Sequence, residues 1–223
     1  VYTNSSGAFS LQLGRKGKWY FGGGKETITP TNHGDSLGIQ HFKAQTFNIE
    51  YYGDGRNDRW LPSKGYFWDA KTQIGQVKET NKKDNIIIRL QLHLEQFLVL
   101  SRNMSLRFKL WSGIVWDEGQ EIHVGQKIRY GGINTLRGYQ EDIFANGIIN
   151  ITSIDLLFTP NEHFQLFAFG DKAYQDVYDI PLSLGFGLRQ RTKNSVMEVS
   201  FGWPVDEAFS GGKVHVKFTS LLD

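Results

Sequence analysis

The side chains that could carry chemistry are scattered along this chain. Six histidines lie at positions 33, 41, 93, 123, 163 and 215. None forms the i, i+4 pair of a helical metal site, and none sits beside a compact acid cluster, so no metal site is expected. The serines of "NSSGAFS" and "EAFSGGK" stand beside glycine but not in a Gly-x-Ser-x-Gly elbow. "YFGGGK" lacks the spacing and following helix of a phosphate loop. Cysteine is absent, which removes disulfides, thiolate metal sites and a thiol nucleophile together. No catalytic residue and no cofactor is expected. One stretch stands apart: "GGINTLRGYQED", residues 131–142, places an arginine on a Gly-rich loop and follows it with two acids. The chemistry available there is charge pairing, because a planar guanidinium takes a carboxylate through two parallel hydrogen bonds. On its own the stretch leaves two readings: a solvated loop arginine, or one aimed at a partner elsewhere in the fold.

The elements around it alternate at period two, and helical periodicity never persists for three turns. Ile86, Ile88, Leu90, Leu92 and Leu94 share one face, with Arg89, Gln91, His93 and Glu95 on the other; Ile87 is the exception. Leu106, Phe108, Leu110 and Ile114 oppose Ser105, Arg107, Lys109 and Trp111. Val214, Val216 and Phe218 oppose Lys213, His215, Lys217 and Thr219. Strands are expected at 40–52, 64–77, 84–100, 104–116, 145–158, 163–171, 180–190, 195–203 and 211–220, with two weaker ones near 8–14 and 17–26. A soluble sandwich also alternates, but its strands are shorter and its outer face is mixed. Several strands here run about ten residues or more, the length that spans a bilayer. The charges are segregated onto one face, and a charge on a lipid face costs about 2–4 kcal/mol at the bilayer midplane. The pattern predicts an all-β fold, an antiparallel transmembrane β-barrel with about 11 strands in this chain.

Connection lengths agree. Those after 100, 158 and 190 are short, and those after 116, 171 and 203 are long, as the two ends of an outer-membrane barrel require. "LRGYQED" then belongs to the longest external loop. No stretch approaches the roughly 20 apolar residues of a membrane helix. A net charge of +2 is too small to argue for nucleic acid, and basic runs such as "GRKGK" and "NKKD" read as solvated turns. The chain opens at Val1 without a methionine or an apolar leader, as expected of a mature protein or an excised fragment.

"GGINTLRGYQED" resembles the loop of the bacterial surface antigen family, the superfamily of BamA, TamA and the two-partner-secretion transporters. The likeness lies in Gly131, Gly132, Leu136, Arg137, Gly138 and Tyr139. Upstream, "DRWLPSKGY" is similar to the family's Asp-Arg…Pro-x-x-Gly motif ahead of a strand, through Asp58, Arg59, Pro62 and Gly65. Downstream, "SIDLLFTP", "LFAFGDKAY", "LGFGLR" and "VSFGWPV" resemble family strands and appear in the family's order.

The resemblance implies a bacterial outer-membrane β-barrel that inserts or translocates other proteins. It implies that Arg137 folds back into the lumen and pairs with Asp155 and Asp171 on the inner wall. Alternation places Asp155 inward, with Ile154, Leu156 and Phe158 facing lipid; Asp171 fits less tidily, because its parity sends Phe167 and Phe169 inward as well. The expected partners are outer-membrane lipids, unfolded or secreted protein substrates and periplasmic accessory proteins, with no nucleic acid. A barrel of this superfamily has sixteen strands. Residues 1–223 are therefore expected to be its C-terminal part, lacking the opening strands and periplasmic domains of a parent; the alternatives are a smaller barrel or one assembled from two chains. The chain also ends "FTSLLD" rather than on an aromatic residue. Two other functions fit such a barrel: the C-terminal anchor of a patatin-like phospholipase, or a simple diffusion porin.

Overall fold

The computed structural model, which describes residues 2–12, 17–29, 42–79, 84–118, 121–122, 124–174 and 181–221, has thirteen strands, ten of them long and alternating. In chain order they are β1 (Tyr2–Gln12), β2 (Gly17–Ile28), β3 (Phe42–Asp54), β4 (Gly65–Glu79), β5 (Asn85–Val99), β6 (Met104–Asp117), β7 (Ile128–Tyr130), β8 (Phe144–Asn146), β9 (Ile148–Asn161), β10 (Phe164–Tyr174), β11 (Leu182–Arg191), β12 (Ser195–Pro204) and β13 (Lys213–Ser220). Eleven of them form one antiparallel sheet in the order β1-β2-β3-β4-β5-β6-β9-β10-β11-β12-β13. Each strand pairs with its neighbour in sequence except at β6–β9, where the 118–147 connection intervenes. That connection carries β7 and β8, paired with each other. Among the described residues β1 and β13 are the two edges.

The burial pattern is inside-out by the standard of a water-soluble protein. On one face Ile86, Leu90, Phe108, Ile114, Ile154, Leu156, Phe158, Leu184 and Phe186 are each between 40% and 54% exposed. On the other face Arg107, Lys109, Asp155, Gln165, Asp171 and Arg189 are buried. Water would penalise this arrangement, whereas hydrocarbon requires it, because lipid rewards the apolar face and the ladder satisfies the backbone groups between paired strands. The sheet is the wall of a transmembrane β-barrel. The connections 100–103, 162–163 and 192–194 lie at one end of the wall together with segment 55–64. The 118–147 connection lies at the other.

The inner face at that second end is filled by the chain's own loop. Ile128, Tyr130 and Leu136 from the loop pack with Val77, Ile87, Val115, Ile149, Ile151 and Ala173 from the wall. Ile87 thereby ceases to be an exception: it points inward, and what it meets is a loop rather than water. Trp111, grouped with the polar side by alternation, packs against the same cluster. A second cluster, of Phe97, Leu157, Phe167 and Phe169, lies on the inner face as well.

The largest departures from the sequence expectation are in the first strand, in the strand after the long connection, and at the end of β10, which reaches Tyr174 rather than 171. The first strand runs Tyr2–Gln12 and so starts six residues before the expected 8–14, because its register is set by β2, from Tyr2 opposite Ile28 to Gln12 opposite Lys18; the expected positions 13–14, like 40–41 and 180, lie outside the described residues. Its small polar residues carry no alternation of their own. The strand expected at 145–158 is Ile148–Asn161, because residues 144–146 pair with β7 instead.

Candidate functional site

The site is built on three neighbouring strands. Antiparallel register places Arg107 of β6 opposite Asp155 of β9, and Asp155 opposite Phe169 of β10. Asp171 stands two residues beyond Phe169 on the same inner face, opposite Ser153 and Ser183. Loop 131–143 comes down onto this surface, and Arg137, 2% exposed, reaches both acids, each 0% exposed. Its Nε donates to Asp171 Oδ2 at 2.8 Å and its Nη2 to Asp171 Oδ1 at 2.5 Å, so that pair is bidentate. The same Nη2 donates to Asp155 Oδ1 at 2.8 Å, and the Arg137 backbone N–H donates to Asp171 Oδ2 at 3.0 Å. Burial works against the charge on Arg137. The two carboxylates outweigh it and raise its pKa above the usual arginine range.

The two phenylalanines that alternation sends inward have a place here. The Arg137 guanidinium carbon lies 3.6 Å from the Phe169 ring centroid and 5.9 Å from that of Phe167. A desolvated cation over a ring face is worth about 2 kcal/mol. A flat arginine can stack on a ring and fork to two acids at once, which a lysine cannot.

Other charges, which the local pattern does not connect, complete the arrangement. Arg107 binds Asp155 at 2.5 Å and lies 3.7 Å from Glu95. Arg189 binds Glu198 at 2.7 Å, donates to Gln165 at 2.8 Å and lies 4.8 Å over the Phe167 ring. Lys109 donates to the Asn134 carbonyl at 2.7 Å. Four cations (Arg107, Lys109, Arg137, Arg189) thus stand against four carboxylates (Glu95, Asp155, Asp171, Glu198), and the group is formally neutral. Buried charge is tolerated only on such terms. Parity identifies these residues as inward-facing. Their pairing depends on register across a long connection, which parity does not carry.

The rest of the loop motif is placed as follows. Gly131, Gly132 and Gly138 have φ of 119°, 86° and 89°. The Gly132 N–H donates to the Leu136 carbonyl at 3.0 Å, closing the turn, and Leu136 is fully buried. Gly138 rests against β12: a Cβ there would lie 2.9 Å from Trp203 N and 3.0 Å from Gly202 C. Tyr139 sits edge-on to Phe144 at 5.3 Å between centroids, and burial raises its phenol to about 12.

The loop is also tied to both flanks of the wall. On β13, His215 Nε2 accepts the Gly138 N–H at 3.2 Å, and Lys217 donates to Asn134 Oδ1 at 2.8 Å. On the other flank Gln126 donates to Glu26 of β2 at 2.8 Å and accepts from Arg89 of β5 at 2.7 Å. The connection therefore braces the inner face from β2 to β13.

The Asp58 motif lies at the opposite end. Asp58 accepts the backbone N–H of Trp60 at 2.7 Å and of Leu61 at 3.0 Å, and pairs with Arg191 at 2.6 Å. Pro62 is buried, and its carbonyl accepts from Gln165 at 3.1 Å. Gly65 opens β4 with φ of 107°. Arg59 is exposed and stacks over Trp60 at 5.2 Å, away from Arg137 and its acids.

Partial burial pushes the Asp58 carboxyl up, but the N–H groups of Leu61 and Trp60 and the Arg191 guanidinium outweigh it and hold it below the usual aspartate range. A depressed folded pKa means the stabilisation is fully present above the unfolded value of about 3.9 and is lost as pH falls through the folded value. Asp58→Asn is therefore expected to lower stability by about 1 kcal/mol at neutral pH. The difference should shrink as pH falls below about 4, where wild type loses the same contact. Unfolding midpoints of both proteins across pH check this; a gap independent of pH would contradict it.

A family model described as an Omp85 superfamily domain matches residues 18–219. Among solved structures the chain is similar to BamA from Haemophilus ducreyi lacking POTRA domains 1–3, with a TM-score of 0.75 at 12% identity, over 97% of this chain and 53% of that one. It is similar also to CdiB from Acinetobacter baumannii, with a TM-score of 0.62 at 12% identity, over 94% of this chain and 39% of that one. The chain thus spans about half the length of the first of these structures. No curated protein matches it.

Proposed function

We propose that this chain, which belongs to the Omp85 superfamily, forms the C-terminal part of the β-barrel of a machine that inserts proteins into the bacterial outer membrane or moves them across it. Within it, loop 131–143 acts as a strap. Arg137 holds the strap on the inner wall through Asp155 and Asp171, so that the loop plugs the pore and fixes the spacing of β9 and β10. The observation that carries this reading is one buried guanidinium shared by two buried carboxylates on neighbouring strands. Unfolded or secreted protein chains are the substrates, outer-membrane lipids surround the outer wall, and periplasmic accessory proteins deliver the substrates. The charged side chains grouped around Arg137 are paired with one another, which suits a scaffold better than a catalyst.

The test is reconstitution in lipid vesicles with an unfolded outer-membrane β-barrel protein as substrate. The wild-type barrel is expected to speed the substrate's insertion, read as protease protection, over that of empty vesicles. Arg137→Ala should reduce this in proportion to the fraction of barrels whose strap has left the wall. A large, steady conductance from the wild-type protein in a planar bilayer, without any effect on insertion, would overturn the reading in favour of a diffusion porin.

A further inference from the structure

The outward face of the wall changes character along β2, β3 and β4. On β3 the outward residues run Tyr51, Ile49, Phe47, then Gln45 and Lys43; on β4 the apolar run ends at Ile74, followed by Gln76 and Lys78. On β2, Trp19 and Phe21 give way to Lys25. Register sets Lys43 directly opposite Lys78, and Lys25 opposite Gln45, one outward row below Lys43. All three lysines are exposed. Immediately below them Phe47 and Ile74 are 50% and 45% exposed. Like charges opposed across an antiparallel pair destabilise it, and these lysines are turned away from the acids of the inner face. Among the described residues no ion pair reaches Lys25 or Lys43. Lys78 has Asp84 at 3.9 Å, with half of the Asp84 side chain exposed.

We propose that Lys25, Lys43 and Lys78 form a docking surface for the phosphate-bearing headgroup of a membrane lipid whose acyl chains lie on Phe47 and Ile74. The proposal rests on the reading that the outer wall faces lipid. An ammonium one row beyond an apolar belt sits at headgroup depth, where it attracts anionic lipid. A phosphate between Lys43 and Lys78 turns their mutual repulsion into two attractions. The adjoining apolar belt selects a lipid over a free anion, and the cluster of cations selects a headgroup with net negative charge over a zwitterionic one.

The experiment uses the whole chain in detergent micelles, with lipid A carrying two phosphates as probe and phosphatidylcholine as the zwitterionic comparison. Binding is read by native mass spectrometry. Wild type is expected to retain lipid A preferentially, with retention falling about fivefold for each lysine replaced, on the order of a hundredfold for K25Q/K43Q/K78Q. K64Q, at the opposite end of the wall, should leave retention unchanged. Equal retention of lipid A by wild type and the triple variant would overturn the proposal, as would equal retention of phosphatidylcholine by wild type. Displacement of lipid A by equimolar inorganic phosphate would show a free-anion site and reject the lipid. If the triple variant fails to fold, K43Q alone carries the test, with a fivefold loss expected. Incorporation into phosphatidylcholine vesicles depends on the apolar wall and not on the lysines. Its loss in wild type would strike at the lipid-facing reading itself.

Discussion

Replacing Arg137 by alanine is expected to cost the fold about 3–5 kcal/mol, the usual consequence of removing one partner from a buried charge group. Asp155 keeps Arg107, but among the described residues Asp171 keeps a single hydrogen bond, from the backbone N–H of residue 137, and the more distant charge of Lys109. The stacking on Phe169 goes at the same time. For a domain of this size such a loss lowers the unfolding midpoint by about 10 °C. Arg137→Lys should recover only part of it, because a point charge cannot fork to two carboxylates and lie flat on a ring. Thermal unfolding in detergent measures the cost, and proteolysis within 128–146 reports whether the strap has lifted. Double-mutant cycles of Arg137 with Asp155 and with Asp171 should each show coupling of about 1 kcal/mol or more, since the three share one network. Unchanged protection of the loop in Arg137→Ala would show instead that the packing of Tyr130 and Leu136 and the hydrogen bonds to Lys109, His215 and Lys217 hold it without the ion pairs.

Gly138→Ala tests position rather than charge, and is expected to cost about 2–3 kcal/mol. The backbone there has φ of 89°, a region that costs a residue with a Cβ about 1 kcal/mol or more. The added methyl also meets backbone, Trp203 N at 2.9 Å and Gly202 C at 3.0 Å, which cannot swing aside as a side chain would. The loop must rise from β12, stretching the Gly138 N–H contact to His215 and the Asn134–Lys217 bond. Every charge of the Arg137 group stays in the chain. A loss of loop protection in Gly138→Ala would therefore show that close approach is as necessary as ion pairing. A stability equal to wild type would mean that Gly138 does not rest on β12 in the membrane.

Much of the wall is legible along the chain. The long strands from β3 onward fall within about three residues of where alternation places them, and the inward set that contains Arg107, Lys109 and Asp155 is the set of odd positions on β6 and β9. The opening strand is less legible, because "YTNSSGAFSLQ" has little alternation and takes its boundaries from pairing with β2. The β7–β8 ribbon is invisible to periodicity, since three-residue strands have no period to read. The braces at Glu26, Arg89 and Gln126 gave no local signal: Gln126 lies 100 residues from Glu26 and 37 from Arg89. The inward placement of Phe167 and Phe169, untidy as a parity argument, is what puts a ring beneath the guanidinium.

By itself the sequence determined the barrel class, the two faces of each strand and the motif whose likeness implied a lumen-facing arginine. These are local matters, because side-chain direction along a strand follows from the backbone's period of two, and a motif is read in place. Only the tertiary structure decided that one guanidinium serves both acids, that Arg107 shares Asp155, and that the loop reaches from β2 to β13. Those contacts depend on the registers β6 adopts with β9 and β9 with β10. A shift of one residue would have turned Asp155 toward lipid.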